Sequence, residues 1–429
     1  MAAWYRVERV RFLSGERLPL LVAAATGIPL WNPTLFVVSE LRATNRAAST
    51  LQQATRAIMV AHQVLDHLGI DLDARLGEGR LLDISELDTL ANHAGMTQEG
   101  LDGLLTAESK PVRSRSVASL EKARMRTKPS EQPPQVAAQT KAIRLMYIRD
   151  YIAWLARRRL LRLDSRQPVY QALSETARLV VGQMNARIPS SPTNNDLDAR
   201  QGVSDEVRAR IVEVTHPDSP ENPWKNEHVR IRNQLIFTWL LELGLRKGEF
   251  LGIRLEDLNL RAGEVRICRR ADDPDDPRTD EPNTKGKARL LALGDGLAEL
   301  TRAYVHGARR AITGARRSPF LVVATGTGKP LSKAAVSKIF VELRRKVPGL
   351  PEELCPHVLR HTWNDHFSAF ADKNGISPEE EEKLRKQQMG WSDRSKMAAV
   401  YTRRHTRRKT NEASLTMQAA AFDATKGKK

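Results

Sequence analysis

Apolar positions recur three and four residues apart along most of this chain, which is the period of an amphipathic helix. Residues 32–76 show that spacing first, with Gly69 in "DHLGIDL" as a stop signal, and "DISELDTLANHAG" continues it. Residues 1–30 are ambiguous, although "WYRVERVRFL" fits a strand. "KAIRLMYIRDYIAWLARRRLLRL" (141–163) predicts a long amphipathic helix with Tyr147, Tyr151 and Trp154 on one face. Such a stripe fits a core better than a base-stacking platform. The arginines 157–159 at its end suit phosphates or the helix's own last carbonyls. "IRNQLIFTWLLELG" (231–244) is apolar nearly all round and predicts a buried helix ending at Gly244. "EVRICRR" (264–270) and "ARLLAL" (288–293) read as strands, and the remainder returns to helices.

Polar breaks divide this pattern. Residues 110–128 hold seven basic residues and one acid, Glu121, and "PSEQPPQ" follows. The stretch reads as a solvated linker, as a basic strap along a phosphate backbone, or as both. "NARIPSSPTNNDLDARQGVS" (185–204) carries the main boundary. The expected organisation is an N-terminal extension 1–30 of open role, an all-α domain 31–190 with a basic stretch 108–136, a main domain 200–412, and a tail 413–429. The main domain is expected to be mostly α with a small antiparallel β-sheet, an α+β arrangement.

Composition narrows the function classes. The 429 residues carry 69 Lys and Arg against 51 Asp and Glu, a formal net charge of +18. Acids are plentiful, so this is a folded protein with basic surfaces rather than a basic tail, and nucleic acid is the commonest partner of such surfaces. The two cysteines, Cys268 and Cys355, form no CxxC pair, which argues against a disulfide framework or a zinc site and for a reducing, intracellular setting. No apolar run approaches the ~20 residues of a membrane span. The N-terminus, with acids and arginines ahead of its apolar patch, does not read as a signal peptide.

The candidate chemistry lies in the second half. "ELGLRKGEFLGIRLEDL" places Arg246 just past the buried helix, with Glu249 one turn on. A buried arginine needs an anionic partner; Glu249 can orient it, or the two can form a purely structural pair. "CPHVLRHTW" puts His357 and Arg360 on one face of a helix starting near Pro356, with His361 one turn after His357. A helical histidine commonly ends as a satisfied core residue, but His and Arg on one face can also donate together to a phosphate. "NTKGKARLLAL" places Lys285 at a strand turn, four residues before Arg289. In "ISPEEEEKLRKQQMGW", Ser377, Pro378 and Glu380 mark a capped helix start and Gly390 its end, so Trp391 stands at a sharp exit. Tyr401 follows, and no other tyrosine lies beyond Tyr304. An indole donates one hydrogen bond and cannot shuttle a proton. Two arginines, a histidine, a lysine, an indole and one phenol, without a metal cluster, suit phosphoryl transfer, with arginines doing a metal's electrostatic work and the phenol as nucleophile.

The boxes "GLRKGE", "TKGKAR", "HVLRHT", "MGW" and "VYTRRH", in this order, resemble the tyrosine recombinase (phage integrase) superfamily over residues 203–412, and 32–76 is similar to its helical core-binding domain. The resemblance implies a C-shaped clamp on double-stranded DNA. Arg246 and Arg360 would hold the scissile phosphate, with His357 and Trp391 as further donors. Tyr401 would attack to form a 3′-phosphotyrosyl link, Lys285 would protonate the leaving 5′-oxygen, and Glu249 and His361 would support them. Trp391 stands where many members have histidine, which leaves Lys285 as the better general acid, and the gap from Trp391 to Tyr401 is one residue longer than usual. The resemblance further implies no cofactor, four copies exchanging strands through a Holliday junction, and accessory DNA-bending or directionality proteins. It also implies a cytoplasmic, nucleoid-associated setting. Arg113, Arg115, Arg124, Arg126, Arg403 and Arg404 are DNA-binding candidates, although such runs also serve as solvated faces.

Two alternatives stand beside this reading. A type IB topoisomerase shares the cleavage chemistry but only relaxes supercoils, and a non-catalytic DNA-binding accessory protein would need none of it. "DDPDD" (272–276) invites a metal site, but its prolines and lack of histidine predict a solvated hairpin tip.

Overall fold

The computed structural model describes residues 4–108, 133–190, 202–282, 284, 286–395, 407 and 409–420. Helices dominate, with two small antiparallel sheets. The chain forms two compact units, one of Met1–Phe12 with Arg17–Asp196 and one of Leu13–Glu16 with Leu197–Lys429.

In the first unit, the ambiguous N-terminal residues form a hairpin of β1 (Tyr5–Arg11) and β2 (Arg17–Ala23), in register from Tyr5 opposite Ala23 to Arg11 opposite Arg17. The β2 sequence "RLPLLVA" is buried at nearly every position, and the hairpin packs on a helix instead of standing alone. Among the described residues, a π-helical turn (Val37–Arg42) follows the short α1 (Trp31–Phe36), and then come the α-helices α2 (Ala48–His67), α3 (Leu72–Gly77), α4 (Ile84–His93), α5 (Gln98–Glu108), α6 (Ala138–Leu160) and α7 (Pro168–Arg187). The α2 residues Leu51, Ala54, Ile58, Ala61 and Leu65, three and four apart, are buried, and α2 packs against the hairpin and α6. Tyr151 and Trp154 of α6 are core, edge-on to Phe36 at 5.4 and 5.6 Å, whereas Tyr147 is half-buried.

The second unit is built around α9 (Glu227–Leu243), which starts with Asn226 accepting the Val229 amide and ends at left-handed Gly244. Around it pack α8 (Asp205–Thr215), α10 (Lys247–Leu251), α11 (Asp295–His306) and α13 (Pro356–Lys373). Trp239 of α9 is fully buried and donates to Thr301 of α11 at 3.0 Å. Phe237 meets Phe340 of α12 (Lys333–Lys346) at 4.6 Å. The sheet has the order β3 (Leu258–Asn259), β4 (Glu264–Ile267), β5 (Arg289–Ala292), with Val265 opposite Leu291 and Ile267 opposite Arg289. The last named helix, α14 (Pro378–Met389), starts with Ser377 accepting the Glu380 amide. The return bond of a full capping box is not formed among the described residues. Glu380 is exposed, and its neighbour Glu381 turns inward to Arg385 instead.

The acidic segment between β4 and β5 corrects the expectation of a solvated tip. Asp273 and Asp276 are buried, 8% and 2% exposed, because each carboxylate has a guanidinium against it. Asp276 takes a fork from Arg278 at 2.8 Å, and Asp273 pairs with Arg254. Arg278 also donates to the carbonyls of Leu251 (3.2 Å) and Leu331 (2.8 Å) and lies 4.4 Å over the Phe320 ring. Buried charge is tolerable only when paired in this way. Proline and charge predicted the turn, but not that arginines elsewhere would draw it onto the body.

Among the described residues, no helix is long and apolar enough to cross a membrane.

Candidate active site: three guanidinium groups on one buried carboxylate

The site begins where α9 stops. Gly244 adopts φ 60, and a Cβ there would stand 2.8 Å from Met389 Cε and 2.9 Å from Trp363 Cγ, so both the turn and the close approach require glycine. Two residues on, Arg246 takes the N-cap position of α10. Glu249 reaches back: its Oε2 accepts the Arg246 amide at 3.0 Å and its Oε1 the Arg246 guanidinium at 2.9 Å. The Glu249 side chain has no solvent exposure, while Arg246 keeps 27% of its side chain in solvent. A carboxylate at a helix start is favoured by the unpaired amides and the helix dipole.

Two more arginines reach the same carboxylate. Arg289, the first residue of β5, donates from Nη2 to Glu249 Oε2 at 3.0 Å. Arg360, from the second turn of α13, brings Nη1 to 3.6 Å from Oε2. Both are almost fully buried, with side-chain exposures of 2% and 1%. Burial by itself raises the Glu249 pKa. Arg289 first and then Arg360 overcome it, and the carboxyl is held below its ordinary range. The group stays ionised, and three cations share its single charge.

Helix ends complete the cluster. Arg360 donates to Gly244 O, at the end of α9, at 2.7 Å, and to Met389 O, at the end of α14, at 3.2 Å. Arg289 Nε donates to Gln388 O at 2.7 Å. The last carbonyls of a helix lack partners within it and carry the negative end of its dipole, so they suit guanidinium groups. Gly390 closes α14 with φ 65, and Trp391 N returns to Lys386 O at 3.0 Å. The turn lays the Trp391 ring, 6% exposed, 5.5 Å from the Arg360 guanidinium carbon. Arg385 fixes α14 to α13: it donates to Asn364 O at 3.0 Å and Ser368 Oγ at 2.7 Å and pairs with Glu381.

The structure thus brings together Arg246, Glu249, Arg360 and Trp391. His357 lies three residues before Arg360 on α13, exposed, with its ring 4.6 Å from that of half-buried His361, edge to face. Lys285 and Tyr401 lie outside the described residues, as do Arg113, Arg115, Arg124, Arg126, Arg403 and Arg404. Among the described residues, no group of three His, Cys, Asp or Glu comes together as a metal site would require.

Arg289 belongs to the cluster and was not singled out from the sequence. A signal existed: in "ARLLAL" the strand period of two puts Arg289, Leu291 and Leu293 on the inward face and leaves Leu290 outside, 53% exposed. An arginine on a core face announces a buried anion.

The family model described as "Phage integrase family" matches residues 218–408. A tyrosine recombinase XerD of Halalkalibacterium halodurans is 25% identical over 146 residues, 34% of this chain and 44% of that protein. The XerD of Staphylococcus aureus strain Mu50 is 27% identical over 147 residues, with the same coverage. The matched stretch therefore spans less than half the length of these relatives. Among solved structures, the XerA recombinase aligns over 85% of this chain and 91% of its own, with 14% identity and a TM-score of 0.34. The Tn1549 transposon integrase in complex with circular intermediate DNA aligns over 71% and 87%, with 16% identity and a TM-score of 0.40. All five boxes lie inside the segment that matches the phage integrase family model.

Proposed function

We propose that this chain is a site-specific DNA recombinase of the integrase or transposase kind. The observation that carries the reading is the cluster on Glu249: three guanidinium groups on one carboxylate leave a surplus of positive charge, and Arg246 presents part of it to solvent. Such a fixed surplus suits a phosphate whose charge builds up in the transition state.

In this reading Arg246 and Arg360 hold the scissile phosphate of duplex DNA, and His357 and Trp391 assist. The Tyr401 oxygen attacks phosphorus; a tyrosyl–phosphate bond forms at the 3′ side and the bond to the 5′-oxygen breaks. Lys285 gives that oxygen its proton. The bond energy stays in the phosphotyrosine, so the reverse attack by a 5′-hydroxyl reseals a strand without ATP. Glu249 and His361 position the donors. Residues 31–190 and 200–412 both bind the duplex, and Arg113, Arg115, Arg124, Arg126, Arg403 and Arg404 contact its backbone. Four copies exchange strands through a Holliday junction, aided by accessory DNA-bending or directionality proteins, in the cytoplasm at the nucleoid. The XerD relatives, tyrosine recombinases by name, support this assignment.

The test mixes the full chain with nicked duplexes from the two ends of the DNA element that encodes it and looks for an SDS-resistant protein–DNA band. The expected band appears with the wild-type chain and vanishes in Tyr401→Phe. Plasmid relaxation without recombinant products would instead indicate a topoisomerase, and tight DNA binding with no band would indicate an accessory protein. Binding should also weaken steeply with salt, as many phosphate contacts require; a flat response overturns those backbone contacts.

A further inference from the structure

Glu249 poses a problem for the site it builds. A carboxylate that orients Arg246 at 2.9 Å and stands 3.6 Å from Arg360 also competes with any phosphate for those same guanidinium groups. An ion pair that satisfies itself has little to offer a third charge. The third arginine removes the conflict.

We propose that Arg289 is a positioning residue that supplies the counter-charge to Glu249, so that Glu249 holds Arg246 and Arg360 in place without neutralising them. The inference rests on the recombinase reading and deepens it. Arg289 is the closest match to Glu249 in geometry: Nη2 meets Oε2 at 3.0 Å and Nη1 stands 3.5 Å from Oε1, a two-pronged approach that neither of the other arginines makes through its guanidinium. Its side chain is 2% exposed, so it is shut off from direct solvent contact, unlike Arg246.

The position is fixed from both sides. Nε donates to Gln388 O at 2.7 Å, and a Cβ on Gly390 would come within 2.5 Å of Nη1, so Gly390 leaves just enough room for the guanidinium. The strand leading to it is pinned as well: Lys287 N donates to Gly390 O at 2.8 Å, Lys287 Nζ meets Asp393 at 2.9 Å, and a Cβ on Gly286 would stand 2.7 Å from Gly390 O. Three segments distant in sequence therefore meet at Arg289: α10 through Glu249, β5 itself, and the end of α14.

The charge arithmetic separates this role from plain packing. Among the described residues, the wild-type cluster on Glu249 has three positive charges and one negative. Arg289→Gln has two and one. The pair Glu249→Gln with Arg289→Gln has two and none, which restores the original surplus on Arg246 and Arg360. Covalent-complex formation on the element-end duplexes is measured with DNA affinity and melting temperature for each. Arg289→Gln is expected to lower the cleavage rate about 100-fold, the usual cost of losing electrostatic support for a transition state, while duplex affinity changes less than about threefold. The double variant is expected to recover about tenfold over Arg289→Gln, a coupling that additive structural damage does not produce. Arg289→Lys, which keeps the charge, serves if the glutamine variants melt early, and is expected to fall between wild type and Arg289→Gln. Cleavage by Arg289→Gln at the wild-type rate, or a double variant no faster than Arg289→Gln, overturns the inference and leaves the recombinase reading standing. No covalent band from the wild-type chain overturns both.

Discussion

The second unit contains two buried networks of arginine and carboxylate that look alike in composition and differ in balance. In the segment between β4 and β5, Asp276 faces Arg278 and Asp273 faces Arg254, and Arg278 directs further donors at Leu251 O and Leu331 O. In the other network, one carboxylate, Glu249, meets Arg246, Arg289 and Arg360. The first sets Arg254 and Arg278 against several carboxylates and ties a long connection to the body. The second leaves positive charge over, fixed by helix ends and partly open at Arg246. A paired network is architecture; an unbalanced one is a place for an anion.

Substitutions in the two networks should therefore fail in opposite ways. The largest effect is expected for Arg246→Ala. Cleavage should fall by about 10³-fold or more, on the scale of arginines that stabilise phosphoryl transfer, with the melting temperature little changed because the side chain is partly solvated. Arg278→Ala is the mirror image. It leaves Asp276 buried without the fork of Arg278 and should destabilise the fold by about 3–5 kcal/mol in urea unfolding, while cleavage per folded molecule stays at the wild-type level. Arg278→Ala that folds normally but cannot cut would erase the distinction.

Acid sharpens the comparison further. The folded-state pKa of Glu249 lies below the ordinary value of 4.5: burial pushes it up, and Arg289 and Arg360 outweigh that push. A depressed folded pKa means that the carboxylate's contribution to stability is complete above 4.5 and is lost as pH falls through the folded value. Stability measured by denaturant between pH 6 and 3 (an interval of about three units spanning that range) should fall in the wild-type chain and fall less in Glu249→Gln. Equal slopes would mean that the cluster does not hold Glu249 ionised. The smallest effect belongs to an ion pair in neither network: Glu299, three residues from Arg302 on the exposed face of α11, should cost less than about 0.5 kcal/mol on Glu299→Gln.

Local signals carried much of the architecture. Gly244 and Gly390 were legible as helix ends because a left-handed C-cap is a one-residue preference. Pro356 marked the start of α13, and the three-residue spacing put His357 and Arg360 on one side of it. The N-terminal hairpin was only half legible: "WYRVERVRFL" fitted a strand, but β2 is buried at nearly every position and lacks the alternation that marks a surface strand. The acidic segment was misread because proline and aspartate also describe an exposed turn, and nothing within ten residues announces Arg254 as a partner.

The sequence by itself determined the order of the five boxes, the family they resemble, the mostly helical fold, and the placement of Arg246 and Glu249 at one helix start. These follow from short-range preferences and spacing, which a linear chain carries on its face. Only the tertiary structure decided that Arg289 completes the charge around Glu249, that the carbonyl ends of α9 and α14 converge on Arg360 and Arg289, and that an acidic loop is drawn inward. Each of these rests on partners 19 to 116 residues apart, and burial decides them: a charge withdrawn from water takes whatever opposite charge or carbonyl the packing brings within reach.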